Sequence, residues 1–407
     1  MFRFWREADP TARKALIAAS IGWMLDAFDV MLYALVLSSV RADLHLSADV
    51  AGGLQSLTLI ASAIGGIAFG VIADRFGRTR ALMASVLIYS IFTAACGFAQ
   101  TVVQLAAFRI GLGFGMGGEW ASGAALVSET WKARDRGKAL GLMQSSWAIG
   151  YGLAAAVNYL VQDVAGLGWR EVFFAGVAPA VFALWVRSKV EEPKAWREAS
   201  ARARATGVSP SIGQALSAPG IRITAAVTLM NACTMFAWWG FYLWVPSYLR
   251  SPGIGLSSAS MNGFIIVMQA GMWLGYVTFG FIADSIGRKR AYVGCLIAAA
   301  ACVLGYASSS NLTVLLVMGP ITAFFATGFF SGFGAVTAEL YPTAVRATAQ
   351  GFTYNVGRVA SAAAPWLVGG ITESHGFPAA LSLAAAGYAL AAVFWIFIPE
   401  TAGREIQ

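Results

Sequence analysis

Charge is what this 407-residue chain has least of: Lys, Arg, Asp and Glu make up 12% of it, against 58% hydrophobic residues. Soluble domains carry roughly 25% charged residues, so an ordinary water-exposed protein is excluded. A mean hydropathy of +0.67 over the whole length leaves little room for a separate soluble domain. The four cysteines, Cys96, Cys233, Cys295 and Cys302, all fall inside apolar runs, where a thiol behaves as a small hydrophobe. Neither a disulfide framework nor a metal-binding spacing is present, and no metal or cofactor is expected. The two histidines, His45 and His375, fall in expected outer loops, so neither is placed to carry a proton at mid-membrane. No nucleophile and histidine pair lies in the apolar runs, which disfavours a membrane-embedded enzyme. There is no GxxxxGK[ST] loop, so nothing points to ATP as a driving force. The one dinucleotide-like match, Gly113-x-Gly115-x-x-Gly118, lies inside an apolar run with no strand before it and reads as helix packing.

What is abundant is apolar sequence in membrane-length pieces. A spanning helix needs about 20 apolar residues, and twelve runs qualify: 14–40, 51–73, 80–99, 102–127, 137–161, 169–188, 221–249, 261–283, 291–309, 313–338, 347–371 and 377–398. The fold class is therefore all-α, with twelve transmembrane helices in two six-helix bundles. Residues 1–188 form the N-terminal bundle and 221–407 the C-terminal one. The charged stretch 189–220 between them is a cytoplasmic linker and the only candidate domain boundary. On this topology Arg41, Arg170 and Arg250 lie outside, Arg109 and Arg358 lie within helices, and the remaining 23 of 28 Lys and Arg sit at one face. That asymmetry puts both termini in the cytoplasm. It also accounts for the formal charge of +8 without nucleic acid as a partner. The start, Met1 to Glu7, lacks a cleavable signal pattern, and Asn311-Leu312-Thr313 is an accidental glycosylation sequon in a tiny loop.

The chain repeats itself. Gly70-Val-Ile-Ala-Asp74-Arg75-Phe-Gly77-Arg78-Thr-Arg80-Ala81 returns as Gly280-Phe-Ile-Ala-Asp284-Ser-Ile-Gly287-Arg288-Lys-Arg290-Ala291, a shift of 210 with eight of twelve positions identical. The same shift carries Glu129 onto Glu339, Arg136 onto Arg346 and Gly141 onto Gly351. Two direct repeats of membrane helices are the layout of a transporter with its site between the halves. The paired blocks read as conformational latches, with aspartates at helix ends facing arginines in one state and releasing them in the other. Glu129 with Arg136 and Glu339 with Arg346 would act likewise. The plainer alternative is that these basic turns only set orientation.

These motifs resemble those of the major facilitator superfamily. The Gly70 block is similar to the signature between its second and third helices, and the Gly280 block to the second-half version. Arg109-x-x-x-Gly113-x-Gly115 resembles its fourth-helix motif. Glu339-x-x-Pro342-Thr343-x-x-Arg346 and Pro399-Glu400-Thr401 resemble sugar-porter-like members. Asp26-Ala-Phe-Asp29 and Gly117-Gly-Glu119-Trp120 are similar to metabolite, sialate and aromatic-acid proton symporters. The seventh-helix signature of monocarboxylate permeases survives only as Asn231-x-x-Thr234, which argues against a small monocarboxylate.

Charges at mid-bilayer are costly and mark function. Asp26 and Asp29 share one face of the first helix. At about 1.5 Å rise per residue, Asp26 and Arg109 reach similar depths, so Arg109 is expected to face the Asp26/Asp29 pair. Either one carboxylate carries a driving proton, with Arg109 tuning it, or the group is a permanent structural ion pair. Glu119, later in helix four, is an inner relay or a packing residue. Arg358, near mid-depth of helix eleven with Tyr354 and Asn355 one turn away, is the first choice of anchor for an acidic substrate, and Arg109 the second. Its bland alternative is pairing with a carbonyl or carboxylate across the halves. Trp238 and Trp239 beside Gly240 suit ring stacking or gating. Gln144, Trp147, Asn158, Asn231 and Gln269 are further candidates for a cavity. The expectation is a monomer, embedded in the cell inner membrane, that imports a small organic acid with a proton by alternating access. A sugar or polyol carrier, a proton-driven exporter and a nutrient sensor are the alternatives.

Overall fold

Lipid offers no partner for backbone N–H and C=O groups, so a chain this apolar satisfies them internally by folding into helices. The computed structural model describes residues 3–178, 180–182, 185, 192, 220–341 and 346–402, and no strand occurs among them. After a short turn of helix at Arg3–Arg6, α1 spans Pro10–Asp43, α2 Ala48–Phe76, α3 Arg78–Cys96 and α4 Val102–Thr130. Next comes α5, Ala133–Asn158, which ends in a π-helical turn at Tyr159–Val164. The sixth helix, α6, opens at Trp169–Phe174 and passes through a 3-10 turn at Ala175–Val177. α7 covers Ile221–Leu249, α8 Ser258–Ile286 and α9 Arg288–Ala307, and α10 comes in two pieces, Leu312–Thr327 and Phe330–Leu340. α11 starts at Arg346 and ends at Gly376, whose φ of 78° breaks the helix; α12 then runs to Phe394. Apart from Glu192 and Gly220, the expected linker lies outside the described residues, as does part of α6. Among the described residues, eight helical stretches are long and apolar enough to cross a membrane, one of them holding both α11 and α12. Helices α1–α6 and α7–α12 are the two bundles.

Local signals explain where helices begin. Asp9 accepts the N–H of Thr11 at 2.7 Å ahead of Pro10, which opens α1 with its ring already at helical φ. Asn311 caps α10 by accepting from Thr313 at 2.9 Å and Val314 at 3.2 Å, which gives the sequon asparagine a structural task.

Packing within each bundle depends on small residues, because lipid supplies no hydrophobic drive between helices. A Cβ on Gly65 of α2 would lie 2.0 Å from the Phe114 carbonyl of α4, and one on Gly275 of α8 would lie 2.6 Å from the Phe324 carbonyl of α10. Both residues of the second pair stand 210 positions after those of the first. The duplication read in the motifs is thus also a duplication of backbone contacts.

Between the bundles run two seams, α2 against α11 and α5 against α8. Along α2 the separation grows steadily toward the end that holds the chain termini. A Cβ on Gly52 would sit 2.1 Å from the Pro365 carbonyl, and one on Gly66 2.9 Å from Asn355 Oδ1, whereas one on Gly70 meets nothing within 4 Å. The α5 seam behaves alike: Asn158 donates to Asn262 at 3.0 Å near the distal end, while Gly141 near the terminal end is open. Glu373 completes the distal closure by accepting from Arg41 and from the first N–H of α2, at Ala48. The bundles therefore touch at the distal end and diverge at the terminal end.

Candidate functional site

A partly open cavity lies between the two seams. The N-terminal bundle lines it with Trp23 from α1 and Gln144 and Trp147 from α5. The other bundle contributes Trp238 and Trp239 of α7, Tyr276 of α8, and Tyr354 and Arg358 of α11. Arg358 is the only charged residue among the described residues lining it. It is 3% exposed, and its hydrogen bonds go to neutral groups: Ser62 Oγ across the seam at 2.7 Å and Tyr354 Oη at 3.4 Å. Its Nε has no hydrogen-bond partner among the described residues. Arg358 also lies over the Tyr354 ring, 5.0 Å from the centroid.

On the terminal side of Tyr354 an aromatic contact joins the bundles. The Trp120 ring of α4 stacks on Tyr354 with centroids 4.1 Å apart and planes 4° from parallel. Trp120 Nε1 donates to Gln144 Oε1 at 3.4 Å. Arg358, Tyr354, Trp120 and Gln144 form a connected path around that end of the cavity.

Three carboxyl groups lie in the N-terminal bundle on unequal terms. Asp29 accepts from Thr93 Oγ1 at 3.1 Å and sits beside Gly176, so it points between α3 and α6. Asp26, one turn earlier, lies within electrostatic reach of Arg358 and of Glu119. Glu119 presses its carboxyl against α1, where a Cβ on Gly22 would lie 2.4 Å from Oε1. Neither oxygen of Glu119 has a hydrogen-bond partner among the described residues, and the residue is 0% exposed.

Arg109 corrects a sequence expectation. It does not face the Asp26/Asp29 pair and does not line the cavity; its guanidinium lies 3.7 Å over the Tyr33 ring and bonds to Gln55 and the Leu54 carbonyl. Counting rise along two axes gives equal depth but says nothing about azimuth. Gly113, one turn after Arg109 on the same face, presses on the Thr58 carbonyl of α2, so this face of α4 belongs to α2. Two other expected contacts also fall outside the cavity lining. Asn231 donates to the Thr353 carbonyl at 3.1 Å and ties α7 to α11, and Asn355 donates to the Gly351 carbonyl at 2.9 Å beside Gly66.

The repeated charged blocks hold two equivalent clusters at the terminal end. Arg78 bonds Glu129 at 3.0 Å, and Arg288 bonds Glu339 at 3.2 Å as well as Asp284. Glu192 accepts the N–H groups of Thr79 and Arg80, both at 3.2 Å, at the start of α3. In the second half Glu400 does the same for Arg288 at 2.9 Å and Lys289 at 3.1 Å at the start of α9. Gly77 and Gly287 precede those helices with φ of 115° and 95°, and a Cβ on either would lie under 3 Å from the capping carboxylate. Glycine is required there on both counts. Arg136 is half-buried, Arg80 and Arg290 are exposed, and the side chains of Asp74, Arg75 and Arg346 lie outside the described residues. The sequence reading missed Trp23, Ser62, Thr93, Tyr276 and Glu192, and gave Trp120 no role. For Glu192 a signal existed, since it and Glu400 both end the last helical run of a half.

Comparison with known proteins fits this architecture. The model of the Major Facilitator Superfamily matches residues 19–278 and 253–406. A Haemophilus influenzae protein named for metabolite transport is 32% identical over 403 residues, covering 97% of this chain and 98% of that protein. The cis,cis-muconate transport protein of Acinetobacter baylyi is 31% identical over 400 residues, covering 96% and 95%. Among solved structures, the Escherichia coli xylose transporter XylE in a partially occluded inward-open conformation superimposes with a TM-score of 0.79 over 98% of this chain and 100% of that one, at 20% identity. The chain belongs to the major facilitator superfamily.

Proposed function

We propose that this transporter moves a small organic acid with an unsaturated or ring-containing body across the inner membrane, together with a proton, by alternating access with both termini in the cytoplasm. The observation that carries this reading is Arg358: one guanidinium in an aromatic cavity, bonded among the described residues only to neutral side chains. A planar fork of donors suits a carboxylate, and the surrounding rings suit a flat apolar body. The muconate-transporting relative supports an unsaturated acid. XylE, at 20% identity, supports the fold alone.

Coupling follows from the neighbourhood of Arg358. The guanidinium is the positive charge in reach of Asp26. A substrate carboxylate that occupies Arg358 withdraws that support from an ionised Asp26 and favours its neutral form. Anion and proton then bind together. Glu119, enclosed without a partner, is expensive to keep ionised and serves as the next proton site toward the terminal end. The protein works as a monomer, since the cavity is built from the two bundles of one chain.

Purified protein in liposomes, given labelled acids and sugars with and without an inward proton gradient, tests this. Gradient-driven uptake of an unsaturated acid, lost in Arg358→Gln, is expected. Uptake of a neutral sugar that survives Arg358→Gln overturns the reading, and uptake confined to inverted vesicles makes the protein an exporter.

A further inference from the structure

The side of the cavity away from the α2/α11 seam is built of tryptophan. Trp147 on α5 stands between Trp23 on α1 at 4.7 Å, ring to ring, and Trp238 on α7 at 5.7 Å. The indole N–H groups of all three are buried and have no hydrogen-bond acceptor among the described residues. A buried tryptophan N–H normally finds a partner, and leaving one unpaired costs about 1–3 kcal/mol. The ring pairs are inclined at 47° and 73°, so an N–H directed at a neighbouring ring makes at best a weak bond. The three rings line the cavity that also holds Arg358, and each unpaired indole nitrogen is itself covered in this packed state, so an acceptor brought in from outside would reach these donors once the rings turn.

We propose that Trp23, Trp147 and Trp238 form a donor subsite that takes a hydrogen-bond acceptor at the end of the substrate opposite its carboxylate. The inference rests on the organic-acid reading above and narrows it. The substrate is a flat unsaturated acid whose far end carries a ring nitrogen, a lactone or keto oxygen, or a second carboxylate. A polyhydroxylated ligand is disfavoured by the same inventory. Each hydroxyl brings a donor, and the acceptors lining this cavity are few: Gln144 Oε1 already receives Trp120, and Tyr354 Oη receives Arg358. Trp147 links the subsite to both bundles, touching α1 of its own bundle and α7 of the other. A ligand spanning Arg358 and these indoles therefore contacts both moving parts.

The test uses near-isosteric acids that differ in the acceptor, with binding to the purified full-length protein in lipid nanodiscs followed by calorimetry. One pair is benzoate against pyridine-4-carboxylate, in which the ring C–H opposite the carboxylate becomes a nitrogen acceptor. The other is hexadienoate against hexadienedioate, in which a terminal methyl becomes a second carboxylate. The parent protein should bind the acceptor-bearing member of at least one pair roughly tenfold or more tighter, the scale set by satisfying a buried donor. Trp147→Phe and Trp238→Phe keep a ring and remove the N–H, and should bring that ratio close to one. Equal affinity within both pairs, or a ratio that neither Phe variant changes, overturns the subsite while the organic-acid reading stands. If no acid of either pair binds but a neutral sugar does, the organic-acid reading falls and the subsite with it.

Discussion

Trp120 and Tyr354, from opposite bundles, lie face to face with ring centroids 4.1 Å apart and planes within 4° of parallel. Beyond this stack toward the terminal end, positions such as Gly70 and Gly351 meet nothing within 4 Å. An aromatic pair is worth about 0.5–1.5 kcal/mol beyond its buried area. Trp120→Ala should therefore weaken substrate retention by roughly two- to tenfold, read as a faster off-rate of labelled substrate from the purified protein, and Trp120→Phe should retain most of it. Identical off-rates for parent, Phe and Ala variants would show that the stack is packing and no gate.

The carboxyl groups should separate by neighbourhood. Asp26 lies within electrostatic reach of Arg358 and Glu119, whereas Asp29 is held by Thr93 inside its own bundle. Asp26→Asn and Glu119→Gln should abolish accumulation against a gradient while sparing counterflow. Asp29→Asn keeps a carbonyl oxygen that accepts from Thr93, so it should stay within about 1 kcal/mol of the parent in stability and keep its coupling. Gradient-driven accumulation by Asp26→Asn at the parent's level refutes the proton assignment.

Distal closure depends on the absence of a side chain at Gly52, where a Cβ would come within 2.1 Å of a backbone oxygen. Backbone cannot yield as a flexible side chain does, so Gly52→Val should separate α2 from α11. A bias of about 3 kcal/mol changes the ratio of two states by roughly 100-fold, and transport should fall on that scale. Spin labels at the exposed positions 45 and 375 should report a longer distance in the variant. An unchanged distance with normal transport would count against distal closure by this seam.

The Glu400 cap gives a pH signature. Partial burial acts against its charge, but four backbone N–H groups, from Ala402, Lys289, Arg288 and Thr401, outweigh burial and hold the carboxyl below its ordinary 4.5. A group with a lowered folded value stabilises fully above its unfolded value, and that contribution disappears as pH falls through the folded one. Thermal stability of the parent should therefore decline below pH about 4.5 in part through Glu400, while Glu400→Gln should start lower by about 1 kcal/mol and decline less. A parallel decline in both proteins rules out this contribution.

Much of this was written in the chain and some was not. Twelve apolar runs and the 210-residue shift determined the number of spans and the duplication, because hydropathy and repeated motifs are properties of the chain alone. Arg358, Tyr354, Gln144 and the paired tryptophans of α7 were legible as candidates for the same reason: a polar or amphipathic residue at mid-depth has few reasons to be there. The partners of those residues were another matter. Arg109 and Asp26 reach the same depth yet face different helices, and Glu192 meets α3 from more than a hundred residues away. Sequence reports height along an axis, whereas the rotation of each helix about that axis is set by which neighbour its glycines admit, and only the packed structure decides that.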